Sequence, residues 1–119
     1  MMKVNCAIDR RRLAAMLVIA AAPLVSAAAY AEDAVALSVM IKDRKLDPAE
    51  LHAPAGRAIE IRVKNLNSVV SEFESGDLHV EKIVPVGKEV VVYVRPQQPG
   101  RYTFMDDFHH ETQGVLVVP

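Results

Sequence analysis

Two short stretches hold most of the residues able to do chemistry. Ser71-Glu72-Phe73-Glu74-Ser75-Gly76-Asp77-Leu78-His79 carries carboxylates and an imidazole, and Met105-Asp106-Asp107-Phe108-His109-His110-Glu111 carries carboxylates, imidazoles and a thioether. In an extended chain, residues two apart share a face. Glu72 and Glu74 then point one way with Phe73 opposite, and Asp107 and His109 share a face with Phe108 opposite. Carboxylates brought together repel one another, and a cation or a proton must relieve them. Glu72, Glu74, Asp107 and His109 are therefore the candidate metal ligands, with Asp106, His110 and Met105 as further candidates. Imidazole suits zinc, copper, iron and nickel, whereas carboxylate suits harder ions. The mixture favours iron or Cu(II) over Cu(I). The competing reading is that both stretches are solvated charges in surface loops, as charged residues mostly are. His52, after Leu51, reads as a surface residue. His79 and Glu81 read as a wet strand edge, and Met40 as packing.

The elements that must position these residues read as strands. Ile59, Ile61 and Val63 alternate with Glu60, Arg62 and Lys64, the pattern of a strand with one buried and one wet face. Leu37, Val39 and Ile41 alternate similarly, as do Val90, Val92 and Val94, and Tyr102 and Phe104. Val115 to Val118 is a short apolar run that reads as a buried last strand. Pro54-Ala55-Gly56, Asn65 to Ser68, Pro85-Val86-Gly87 and Pro96 to Gly100 supply turns between them. Asp47-Pro48-Ala49-Glu50 reads as the start of a short helical turn, stopped by Pro54. Short strands with this punctuation predict an all-β sandwich or barrel.

Residues 1–31 follow different rules. Lys3, Arg10, Arg11 and Arg12 precede an apolar run from Leu13 to Val25, and Ala29-Tyr30-Ala31 fits a small-x-small cleavage pattern. The run is shorter than the roughly 20 residues of a membrane span. The expectation is a cleavable signal peptide over 1–31, an exported, periplasmic domain over 32–119, and no membrane insertion after cleavage. Arg10-Arg11 leaves open whether the export route is general or twin-arginine. Cys6 is the sole cysteine of the 119 residues. The exported domain is then free of thiols, which excludes disulfides and cysteine-rich zinc modules. A net charge of −1, with no basic patch interleaved with aromatics, excludes nucleic acid as a partner. No G-x-S-x-G, H-E-x-x-H or glycine-rich phosphate loop is present, so the chain reads as a metal-binding or transport accessory rather than a stand-alone enzyme.

Across residues 35–119 the chain resembles the cupredoxin-like domains of bacterial periplasmic iron-uptake proteins of the EfeO type. The resemblance rests on Leu46-x-Pro48-x-Glu50-Leu51-x-x-Pro54-Ala55-Gly56, Ile59-x-Ile61-x-Val63-x-Asn65 and Glu72-Phe73-Glu74-Ser75. It continues through Pro99-Gly100-x-Tyr102-x-Phe104, Asp107-Phe108-His109 and Gly114-x-Leu116-x-Val118. It implies a Greek-key β-sandwich, an iron or copper ion held at Glu72, Glu74, Asp107 and His109, and a role in iron uptake. That role would be Fe2+ oxidation or hand-over of the metal to a membrane iron permease. In blue-copper relatives the corresponding strand leads into a loop supplying Cys, His and Met. Here Asp106 falls about where that Cys would be, His109 where the loop His would be, and Glu72 near the other His. A His2Cys copper site needs the thiolate, so electron transfer of that kind is excluded. A periplasmic copper carrier and a metal-free β-sandwich interaction module remain as alternatives.

Overall fold

The computed structural model describes residues 33–119; the stretch read as a signal peptide lies outside them. Nine strands build two facing sheets. They are β1 (Val35–Lys42), β2 (Lys45–Asp47), β3 (Glu50–His52), β4 (Ile59–Asn65), β5 (Ser71–Ser75), β6 (Val80–Val84), β7 (Glu89–Val94), β8 (Gly100–Asp106) and β9 (His109–Val118). One sheet has the order β2-β1-β4-β7 and the other β3-β9-β8-β5-β6. The pairs β1–β4 and β3–β9 are parallel, and the remaining neighbours are antiparallel. The expected all-β sandwich is therefore present, with mixed sheets.

Alternation decides which side chains meet between the layers. On β4, Ile59, Ile61 and Val63 are fully buried while Arg62 and Lys64 face water. Val39 and Ile41 from β1 and Val92 and Val94 from β7 complete that layer. The opposite layer contributes Phe73, Val84, Phe104 and Leu116. Burying a side chain of this size stabilises the fold by about 1.5–3 kcal/mol.

Three local readings change. Asp47 to Glu50 forms no helical turn. Leu46 and Leu51 are both buried, so the chain runs extended on either side of Pro48-Ala49 and crosses from one sheet to the other. The last strand begins at His109, not near Val115, because β8 and β9 pair along their whole lengths. Met40 points outward at 42% exposure, since its neighbours Val39 and Ile41 take the inward positions.

The aromatic pair Phe73 and Phe104 stacks at 5.0 Å between ring centroids, locking β5 against β8. Gly114 on β9 makes room for it. A Cβ there would lie 2.4 Å from the Phe104 ring and 2.9 Å from the Ala49 carbonyl oxygen. Overpacking of this kind costs about 1–3 kcal/mol. Gly114→Ala is therefore expected to lower the midpoint of thermal unfolding by several degrees, whereas Gly76→Ala, in open space, is expected to leave it nearly unchanged. Equal midpoints for the two variants would contradict this account of the packing.

Candidate metal centre

β5 positions the first acidic pair. Ser71, Phe73 and Ser75 turn inward and are buried, so the pleat sends Glu72 and Glu74 to the outer face. Because β5 is flanked by β6 and β8, that outer face is walled by neighbouring strands, and Glu72 is only 7% exposed. The hairpin register sets Glu74 opposite Glu81 of β6, and β8 sets Met105 on its other side. The Glu72 carbonyl accepts the Asp107 N–H at 2.9 Å, which brings the turn after β8 to the same place.

The β5–β6 turn is tied down from below. Asp77 accepts the Thr103 N–H at 2.8 Å and its hydroxyl at 2.9 Å, which holds the Asp77 carboxyl below the usual range. The Ser75 hydroxyl donates to the Thr103 carbonyl at 2.6 Å and accepts the Leu78 N–H at 3.0 Å. His79 takes a left-handed φ of 56° as the chain reverses, and β6 returns with Glu81 beside the acidic pair.

The outer face thus gathers Glu72, Glu74, Glu81 and Asp107. A hydrogen bond shared with Glu81, then burial, then the charges of Glu81, Asp107 and Glu74, push the Glu72 carboxyl up to about 7. Glu74 is also raised, first by a hydrogen bond shared with Asp107 and then by the charge of Asp107; His110 opposes the shift. Without a cation, this face holds itself together by retaining protons. His110 Nε2 stands 3.1 Å from Asp107 Oδ1 on the exposed side.

Asp106 and His109 go elsewhere. Asp106 shares an inward position with Phe73 and is 1% exposed. Its Oδ1 accepts the N–H groups of Glu72 at 3.0 Å and Phe108 at 3.1 Å, and its Oδ2 lies 3.0 Å from His109 Nδ1. Burial pushes the Asp106 carboxyl up, but the Glu72 N–H, Ser71, His109 and the Phe108 N–H outweigh it and leave it below the usual range. The Ser71 hydroxyl is buried beside this carboxylate without a partner at full hydrogen-bond geometry.

Of the residues expected to form one site, the structure brings together Glu72, Glu74 and Asp107. It places Met105 half-buried next to Glu74 and His110 at the exposed rim. His109 is paired with Asp106 instead, because the chain turns at Asp107-Phe108 rather than continuing extended. Glu81, read from the sequence as part of a wet strand edge, is exposed on the edge strand β6, and the hairpin register adds it to the acidic group by setting it opposite Glu74. His52 is at the surface, 3.0 Å from Glu50.

Two positions can be tested for fit to a metal. The inner end of the sandwich offers no thiolate, and both oxygens of Asp106 are engaged; it does not fit the His2Cys ion. The outer face offers a carboxylate donor set with one imidazole at its rim, which suits a hard or borderline cation rather than Cu(I). Among the described residues no three such side chains enclose a metal position.

The two-sheet sandwich agrees with the comparisons to known proteins. Residues 13–118 match the cupredoxin-like domain model, and the chain belongs to that family. A protein of Rickettsia prowazekii, RP394, is 36% identical over 83 residues, covering 69% of this chain and 66% of that protein's length. Among solved structures, auracyanin A, a blue copper protein from Chloroflexus aurantiacus, superposes with a TM-score of 0.63 at 20% identity, over 71% of this chain and 98% of its own. The metal-binding domain of the Cu(I)-exporting ATPase CopA from Streptococcus pneumoniae gives 0.62 at 19%, over 71% and 84%. The purple cupredoxin of Nitrosopumilus maritimus gives 0.56 at 17%, over 70% and 99%. At these identities the structures establish the shared fold.

The raised carboxyls set a pH dependence. Glu72 moves from 4.5 to about 7 on folding, so the folded chain holds a proton that the unfolded chain has lost in between. The stability this confers is fully present below 4.5 and is lost as the pH rises through about 7. Asp106 and Asp77, held low, act oppositely and withdraw support only in strong acid. The metal-free protein is expected to melt at a higher temperature at about pH 5.5 than at about pH 8, and Glu72→Gln is expected to flatten that difference. Superimposable pH profiles for wild type and variant would refute the assignment.

Proposed function

We propose that this chain is an exported, periplasmic metal-binding protein that takes up iron or copper on the outer face of β5, β6 and β8. Its role is to pass the ion to a membrane permease of an iron-uptake system. The observation that carries this reading is the convergence of Glu72, Glu74, Glu81 and Asp107 on one walled face, with the Glu72 carboxyl pushed up to about 7. Acidic groups gathered on one face are destabilising to one another, and a multivalent cation is the ligand that reverses the sign of that interaction.

In this reading the ion is cargo, and the protein's own groups do the work. Glu72 and Glu74 are fixed by the strand, Glu81 by the hairpin turn, and Asp107 by its backbone bond to Glu72. Loading displaces the protons held between the carboxyl pairs, so uptake of the ion and release of protons are linked. A face open on the wet side of the sheet, with His110 at its rim, lets a partner reach the ion. The leading basic-apolar segment of residues 1–31 and the family resemblance support export and the link to iron uptake.

Titration of the purified protein with Fe2+ under anaerobic conditions and with Cu2+ is expected to give one ion per chain. Glu72→Gln with Glu74→Gln is expected to weaken binding by at least about tenfold, or about 1.4 kcal/mol. Affinities for both ions no tighter than those of the double variant would remove the proposal. Relative affinity then separates an iron role from a copper-carrier role.

A further inference from the structure

The buried Asp106 carboxylate is unexplained by the outer face. It sits inside the sandwich end with 1% exposure, and an ionised carboxylate in such a place must be answered by donors. It is answered by the N–H of Glu72 on β5, the N–H of Phe108 in the β8–β9 turn and the ring of His109, with the Ser71 hydroxyl beside it. One side chain therefore ties β5 to the β8–β9 turn. Both pieces carry outer carboxylates: Glu72 itself, and Asp107, which lies between Asp106 and Phe108 and whose own N–H donates to the Glu72 carbonyl.

We infer that Asp106 is a positioning residue and not a metal ligand: its carboxylate fixes the backbone that presents Glu72 and Asp107. Oδ1 accepts two amides and Oδ2 lies against His109 Nδ1, so the protein itself already answers this buried charge. The same contact sets the orientation of the His109 ring. This inference rests on the outer face being the metal site. It extends that reading by assigning to Asp106 a role that does not include ligation.

Substitutions at Asp106 separate positioning from ligation. Asparagine retains an Oδ1 able to accept both amide N–H groups but is a poor ligand; alanine removes the acceptor altogether. Partners that orient ligands contribute about 10–100-fold to metal affinity, so Asp106→Ala is expected to weaken Fe2+ and Cu2+ binding by about tenfold or more, while Asp106→Asn stays within about threefold of wild type. Loss of affinity in Asp106→Asn as large as in Glu72→Gln would overturn the inference. Should Asp106→Ala fail to fold, Asp106→Asn decides alone.

Amide hydrogen exchange of the metal-free protein gives a second reading that does not depend on any ion. The Glu72 and Phe108 amides are expected to be protected in wild type and in Asp106→Asn. Rapid exchange of both amides in wild type, or in Asp106→Asn, would show that the carboxylate does not hold them. If wild type binds neither ion, the proposed function falls, while the exchange result still judges the clamp.

Discussion

The stacking of Phe73 on Phe104 is the contact on which the rest of the functional end depends. It fixes β5 against β8 with Phe73 opposite Asp106 and Glu74 opposite Met105. Once Phe73 is committed to the interior, the pleat leaves Glu72 and Glu74 no choice but the outer face. A slip of one residue would bury two acidic side chains and expose a phenyl ring. The cost of that exchange makes the register unambiguous. Gly114 belongs to the same unit, because the Phe104 ring occupies the space a side chain there would need.

Around this contact the acidic residues divide into two populations with opposite electrostatics. Asp106, inside, is surrounded by donors and is held ionised. Glu72 and Glu74, outside, are surrounded by other acids and hold on to protons. Adjacent positions in the sequence, Asp106 and Asp107, fall into different populations because alternate residues meet different neighbours. The inner carboxylate is a structural element already satisfied by the protein. The outer group is a conflict of like charges that the protein relieves by keeping protons, and that a cation would relieve in the proposed function.

That division bears on what a cupredoxin-like scaffold can do without its cysteine. The family fold is shared here with copper proteins of low identity, and a fold of this kind hosts more than one function. The carboxylate of Asp106, at its inward position, engages two backbone amides and His109, so this end of the sandwich is a hydrogen-bonded unit. In the proposed function the ion is held on the opposite face of β5, where oxygen donors predominate.

The strand pattern, the turn residues and the absence of thiols were legible in the sequence, because alternation and Pro/Gly punctuation act locally. They established an all-β sandwich, the pairing of Glu72 with Glu74 on one face, and the exclusion of a His2Cys copper site. The cupredoxin-like family, but not its EfeO-type branch, followed from motifs spread along the same strands. What the sequence did not contain was which segments lie side by side. Glu81 joined the acidic face only through the β5–β6 register, and Asp107 through a backbone bond to Glu72. His109 left the expected set because the chain reverses at Asp107-Phe108 and its ring meets Asp106. Periodicity assigns a residue to a face of its own strand, but the neighbours on that face are chosen by cross-strand pairing, and only the tertiary structure decides that.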